Sequence, residues 1–308
     1  MGREHAAAVL SAGDRITAFL DADLGAAESA ARDYGGVAAR ATSDLGRGLE
    51  RFVGVGASAL VVASPSALHL PHAEAALSFG LPVLIEKPPW IPSQSPLPLL
   101  RASRGGALVA VGMTTRFNPG VRAIREAVRA GVLGELLVAS DRVAFTIAPG
   151  DLGDWYFDAH QSGGGVLVTN GVHSLDRLRW ILGQELSLRR ARLTSDMLSS
   201  CEDTAVLECS AGDTTVSVVE LWGPGPLPPS ELLVLGTRGC CWSDASGRWR
   251  LSSVDGSSSG GRPEGWSETV AQWRAFRALV LDGLRDGALA SIEDLLASMS
   301  LLEEAMQR

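Results

Sequence analysis

Short apolar, β-branched runs alternate with longer Ala- and Leu-rich stretches over roughly the first hundred residues. Ile16–Asp21 (ITAFLD) predicts a strand, Leu24–Tyr34 a helix, Val37–Arg40 a strand and Leu45–Phe52 a helix. Ala59–Ala63 (ALVVA) then predicts a buried strand, Leu68–Phe79 a helix and Val83–Glu86 (VLIE) a strand. A proline-rich passage (Pro88, Pro89, Pro92, Pro96, Pro98) leads to another apolar strand at Ala107–Met113. Alternation of this kind predicts a parallel sheet with crossover helices, the doubly wound α/β arrangement.

Beyond Met113 the pattern changes. Val121–Ala130 predicts a helix, Leu136–Ile147 a long strand, and Gly163-Gly164-Gly165 the entry to a helix reaching Leu182. Strand-like runs then follow with only turns between them: Thr204–Glu208, Thr214–Leu221, Leu232–Leu235 and Trp249–Ser252. Such runs predict an open, mostly antiparallel sheet in an α+β domain. Ser252–Gly265 is rich in Ser and Gly and predicts a mobile hairpin loop. Two helices close the chain, Glu268–Leu281 and Ile292–Gln307, the second preceded by Ser291 with Asp294 three residues on, a capping spacing. The expected division is residues 1–113 as a dinucleotide-binding, Rossmann-type domain. Residues 114–308 form an α+β substrate and oligomerisation domain, whose C-terminal helices can pack back on the first.

Composition narrows the function. The apolar fraction is 46% and the charged fraction 20%, values of a globular chain. The net charge of −8 comes from mixed acids and bases with no basic block, which disfavours nucleic acid and anionic membrane as partners. No apolar run approaches a membrane span. Cys201, Cys209, Cys240 and Cys241 have neither zinc-ligand nor CxxC spacing. With no recognisable signal peptide, they predict reduced thiols in a cytoplasmic setting. Lys87 is the single lysine among 27 basic residues. In an arginine-biased chain one lysine can survive by chance or mark a position needing an amine that can give up its proton, which guanidinium cannot offer; composition alone does not decide, and the position of Lys87 favours the second.

Asp21 closes the first predicted strand, where dinucleotide folds place a carboxylate that accepts from the adenosine ribose hydroxyls about 20 residues after a glycine turn. Gly2 stands at that distance, and Asp21 as a plain strand cap is the alternative. Residues 61–88 (VVASPSALHLPHAEAALSFGLPVLIEKP) carry a strand, a Pro65-x-x-x-His69 turn, a helix and a strand ending in Glu86-Lys87-Pro88. With Arg116-Phe117-Asn118-Pro119, Trp155 and GGGVLVTNGVHSLDRLRWILG at 163–183, this resembles the glucose-fructose oxidoreductase and inositol dehydrogenase family over nearly the whole chain. The resemblance implies NAD bound through Gly2, Asp21, the Ser64–Pro65 turn, His69, Glu86 and Lys87. It implies catalysis at Lys87 and His173, with Thr169 in the relay position, and a substrate cleft with Arg116, Trp155, Thr169, Asn170 and His173.

The chemistry reads consistently. Hydride transfer from an alcohol needs a group that takes the hydroxyl proton, for which His173 is suited near neutral pH. It also gains from a cation beside the oxygen, which Lys87 supplies at the carboxyl end of a parallel strand. Thr169, His173 and Asp176 fall at i, i+4 and i+7, on one helical face, with Asp176 supporting from behind. Arg116 has an ion pair at a helix start as its alternative, Trp155 ordinary core, and His173 a satisfied interfacial histidine. Cys240–Cys241 predicts buried packing; His5, His72 and His160 show no ligand spacing, and no metal site is expected.

Two departures from the family pattern stand out. The position four before the histidine usually holds a carboxylate; here it is Thr169, which cannot raise the histidine's proton affinity in the same way. The first strand and its GxGxxG turn would precede Gly2, so strands on either side of that place would lack pairing partners. A start of translation placed too late, a trimmed chain and loss of the cofactor are the three explanations. The retention of Asp21, Pro65, Lys87 and His173 favours the first. The expected function is NAD-dependent oxidation of a sugar, cyclitol or similar polyol by a homo-oligomer joined through the second-domain sheet. NAD is preferred over NADP because Asp21 would repel a 2′-phosphate. The alternatives are a cofactor-free lyase, epimerase or cyclase using Lys87 and His173, and a non-catalytic ligand-binding or partner subunit.

Overall fold

A computed structural model describes residues 1–40, 45–147, 150–196 and 201–308. The chain starts with α1 (Gly2–Ser11), β1 (Ala18–Asp21), α2 (Leu24–Tyr34), β2 (Val37–Arg40), α3 (Leu45–Gly54) and β3 (Leu60–Val62). It continues through α4 (His69–Ser78), β4 (Val83–Ile85), α5 (Leu97–Arg104), β5 (Val109–Val111), α6 (Pro119–Arg129) and β6 (Leu136–Thr146). Next come α7 (Ala159–Ser162), α8 (Val172–Leu182), β7 (Ser187–Thr194), β8 (Thr204–Ala211) and β9 (Thr214–Gly223). Last are β10 (Glu231–Gly236), β11 (Gly239–Asp244), β12 (Trp249–Ser253), β13 (Gly256–Gly260), α9 (Glu268–Asp282) and α10 (Ile292–Met306). The fold is a Rossmann-like α/β unit plus a unit with a mostly antiparallel sheet.

The first unit holds Met1–Trp90, Gln94–Thr114 and Trp266–Ile292, so α9 belongs to it. Its strands are parallel, but they form two separate sheets, β1-β2 and β3-β4-β5. Among the described residues no strand joins β1 to β3, so the two parallel sheets are not paired with each other. Val83, Leu84, Ile85, Ala110 and Val111 are completely buried, as continuous apolar strands covered on both faces should be. The local stops are conventional in chemistry. Asp23 caps α2 by accepting from the Gly25 amide at 2.8 Å, and Gly35, with φ of 81°, ends it. Helix α5 begins inside the proline-rich passage, where no helix was predicted; its proline, Pro98, occupies the first turn, where a missing N–H costs no intrahelical bond. In α9, Trp273 and Arg277 both donate to Asp14, at 2.8 and 3.0 Å.

The second unit holds Ile91–Ser93, Thr115–Gly265 and Glu293–Arg308. Its eight-stranded sheet runs β13-β12-β11-β10-β6-β9-β8-β7, antiparallel except for the β6–β9 pair. Alternate residues of β8 and β9 are buried beneath the helices, among them Ala205, Leu207, Val216 and Val218. Helices α6 and α8 pack on this face. The predicted loop at Ser252–Gly265 is corrected: Trp249–Ser253 and Gly256–Gly260 pair as an antiparallel hairpin. Ser and Gly side chains give strand reading no pattern, and the ladder there rests on backbone bonds alone. β7 was likewise unread, its Arg-rich sequence obscuring the alternation. No helix among the described residues is long and apolar enough to cross a membrane.

Candidate active site

In the first unit the predicted cofactor residues gather where strands end. Glu86, Lys87 and Pro88 follow β4, and Ser64 and Pro65 follow β3. His69, the first residue of α4, spans the two turns: Nδ1 lies 2.6 Å from the Pro88 carbonyl oxygen and Nε2 lies 2.7 Å from that of Ser64. Burial is the largest influence on this ring and holds its pKa below the usual histidine value, against the opposite pull of the two carbonyls and the Glu86 carboxylate. The Ser64 hydroxyl oxygen is buried with no hydrogen-bond partner among the described residues.

Glu86 is buried, and its carboxylate meets Nε2 of His5, from α1, at 2.6 Å. The other oxygen accepts from the Lys87 amide at 3.2 Å. Burial alone would raise the Glu86 pKa, but the His5 hydrogen bond and charge, with Lys87 and His69, hold it below the usual value. Gly112 leaves the space: a Cβ there would lie 3.0 Å from Glu86 Oε1. Lys87 itself is half-buried, and the peptide joining it to Pro88 is cis. His5 escaped the sequence reading, which sought ligand spacing. Its signal was a histidine set on the apolar face of α1 among Ala6, Ala8 and Val9, where a buried ring needs a polar partner.

Asp21 ends β1, is exposed, and accepts from the Asp23 amide at 2.9 Å. Gly2 opens α1, is exposed, and a Cβ added there meets nothing within 4 Å. Among the described residues nothing packs closely against Gly2.

In the second unit, His173 sits half-buried on the first turn of α8. The segment before it is built by the glycine triplet. Gly163 and Gly164 take φ of 88° and 156°, and a Cβ on Gly165 would lie 1.9 Å from the Glu202 carbonyl oxygen. The predicted continuous helix is interrupted: Leu167–Gly171 forms one π turn, with the Val172 amide reaching back to the Leu167 carbonyl. π turns inside helices recur at functional sites. Thr169 is buried, and its hydroxyl lies 2.7 Å from the Gly165 carbonyl and 3.1 Å from Asn170 Oδ1. Asn170 is half-buried. Oγ1 of Thr115 lies 3.5 Å from His173 Nδ1, at the outer limit of a hydrogen bond.

Arg116, beside Thr115, is buried and forms the ion pair weighed as its alternative. Nε and Nη2 donate to the two oxygens of Asp176 at 2.7 and 2.6 Å, and Nη1 to Asp294 at 3.3 Å. Burial pushes the Asp176 carboxyl up, opposed by Arg116. Trp155 is half-exposed rather than core and stacks on Tyr156 with ring centroids 3.9 Å apart. The structure thus brings Ser64, His69, Glu86 and Lys87 together in one unit, and Thr115, Arg116, His173 and Asp176 in the other. No cluster of three metal-ligating side chains occurs among the described residues.

Fold and site together define an oxidoreductase type in which a Rossmann-fold unit is followed by a separate sheet unit. Comparison with known proteins agrees: residues 1–102 match the family model "Oxidoreductase family, NAD-binding Rossmann fold", and residues 121–241 match the "GFO/IDH/MocA C-terminal domain". The chain belongs to the GFO/IDH/MocA family of oxidoreductases. It is 29% identical over 230 residues to inositol 2-dehydrogenase 4 of Saccharopolyspora erythraea, covering 72% of this chain and 64% of that protein. To inositol 2-dehydrogenase 2 of the same organism it is 35% identical over 190 residues, covering 60% and 52%. To D-glucoside 3-dehydrogenase of Escherichia coli it is 30% identical over 172 residues, covering 54% and 46%. The chain thus spans about half to two thirds of the length of these curated relatives. Among solved structures, an aldose-aldose oxidoreductase from Caulobacter crescentus superposes with a TM-score of 0.82 at 19% identity, over 96% of this chain and 89% of that one. That similarity is one of fold.

Proposed function

We propose that the protein oxidises a secondary alcohol of a sugar, cyclitol or similar polyol with NAD, or runs the reverse reduction. The observation that carries the reading is the Glu86-Lys87-Pro88 turn, fixed from two sides by His5 and His69 so that the single lysine follows the carboxyl end of β4. Ligands of open α/β sheets bind at such strand ends.

The residues present fit a dinucleotide. Asp21 is an exposed acceptor for ribose hydroxyls, Ser64 offers a buried hydroxyl without a partner, and α1 begins at an unobstructed Gly2 with no side-chain cap. Bound NAD supplies the hydride acceptor. The Asp21 carboxylate disfavours the 2′-phosphate of NADP. His173 takes the hydroxyl proton at its ring, and Thr115, within reach of Nδ1, orients that ring. Lys87 places its ammonium against the oxygen on which negative charge develops. Thr169 and Asn170, in the π turn, and half-exposed Trp155, stacked on Tyr156, are the substrate-side residues; Arg116 acts through Asp176. The protein works as a homo-oligomer through the face of the second sheet opposite α6 and α8, which carries Val138, Leu233, Leu235 and Trp242.

The test is calorimetric titration of NAD and NADH into the 308-residue chain and into a form extended upstream. Binding by either form, with NADP weaker, supports the reading; binding by neither overturns it. The gap between β1 and β3 favours one other reading, proton transfer at Lys87 and His173 without a cofactor. Turnover of a candidate substrate with no nicotinamide added would establish it.

A further inference from the structure

We propose that His5 is the positioning residue that keeps a negative charge on Glu86, at the root of the Lys87–Pro88 turn, through the neutral pH range. Only the use made of Lys87 rests on the proposed function; the charge on Glu86 is tested without turnover, so either can fail alone.

Glu86 follows β4 and is buried. A buried carboxylate stays ionised only where donors replace the water it has lost. Among the described residues it has two, Nε2 of His5 at 2.6 Å and the Lys87 amide at 3.2 Å. A carboxylate accepts, so the His5 nitrogen that faces it carries a proton. The short bond is the stronger one, and the backbone bond lies at the long end of the N–H···O range. Taking His5 away would leave one weak donor against full desolvation.

The other titratable groups facing Glu86 do not replace that donor. His69, on α4, has both ring nitrogens against the Pro88 and Ser64 carbonyls, and burial lowers its affinity for a proton. Lys87 favours the carboxylate by its charge, a smaller influence than the His5 bond. From the end of β5 comes Gly112, which has no side chain and so adds closeness without charge.

With His5 in place the carboxylate sits below its usual pKa, and the Lys87 turn keeps one charge state from mildly acid pH upward. Without that donor burial prevails. The carboxyl would then take up its proton inside the neutral range and change the field on the lysine. His5 lies 81 positions before Glu86, so the helix that opens the first unit governs the charge beside its single lysine.

That lysine also reports on Glu86. With Lys87 carrying carbon-13 methyl groups, its NMR signal is followed through the neutral pH range in the full chain and in three variants. These are His5→Leu, His5→Gln, whose amide nitrogen can reach the place of Nε2, and His5→Leu combined with Glu86→Gln. In His5→Leu a new step should appear in the Lys87 signal between about pH 5 and 8. It should be absent from the native chain, from His5→Gln and from the double variant. The double variant lacks the group that titrates, so its silence assigns the step to Glu86. A step that survives there belongs to a disturbed turn and overturns the proposal, as does the absence of any new step in His5→Leu. A step in His5→Gln as well would overturn the part given to the donor. If His5→Leu does not fold, His5→Asn, whose amide stops short of Glu86, takes its place with the same expectation.

Discussion

The guanidinium of Arg116 and the carboxylate of Asp176 meet as a two-pronged pair, buried in the second unit, with Asp176 three residues after His173 on α8. Arg116 adjoins Thr115, whose hydroxyl reaches His173. The pair therefore ties the turn bearing Thr115 to the helix bearing the proposed base.

Removing one partner of a buried pair leaves the other charge exposed to the interior, at a cost of about 3–5 kcal/mol. Arg116→Ala should lose stability on that scale in urea unfolding. Arg116→Lys should lose a substantial part of it, because an ammonium cannot give two parallel bonds. A loss below about 1 kcal/mol for Arg116→Ala would mean that the pair does not hold α8.

Gly165→Ala should be worse tolerated than any neighbouring glycine substitution. The new methyl would meet the Glu202 backbone at 1.9 Å, and a backbone carbonyl cannot swing aside as a side chain can. We expect about 3 kcal/mol or more of destabilisation, read by thermal unfolding. Gly131→Ala, where a Cβ meets nothing, is the control for backbone strain alone, since its φ is 68°.

Lys87→Ala and His173→Gln should each lower kcat by about 10²–10⁴-fold on whichever polyol the protein accepts. NAD affinity should hold in His173→Gln, since that residue is assigned to the substrate side. Near-native turnover in both variants would remove the two residues from the chemistry.

Burial pushes the thiols of Cys209 and Cys241 up to about 11. Their folded pKa lies above the unfolded value of about 8.5, so the stability they contribute is complete below that value and is lost as pH rises toward 11. The melting temperature should fall across that window, less steeply in Cys209→Ala. At pH 8 a thiol reagent should modify half-exposed Cys240 first and reach Cys209 and Cys241 only on unfolding.

Much of the fold was legible because its signals are local. Helix α2 and strand β2 have the bounds read from sequence, set by Asp23 at one helix end and Gly35 at the other. The fully apolar run at Val83–Ile85 could only be an interior strand. What escaped depends on partners distant in sequence. Nothing near His5 announces Glu86, 81 positions away, and nothing near Arg116 announces Asp176, 60 positions away. The glycine triplet was visible, but the need for Gly165 lies in Glu202, whose approach only the fold reveals.

The π turn at Leu167–Gly171 acts as a vernier on the helix that carries the proposed base. One surplus residue in a helical turn rotates everything upstream by about 100° relative to everything downstream. Thr169 and His173 are therefore not phased as an unbroken helix would phase them. A single-residue deletion in this turn would keep every side chain of α8 yet re-index the glycine triplet against it.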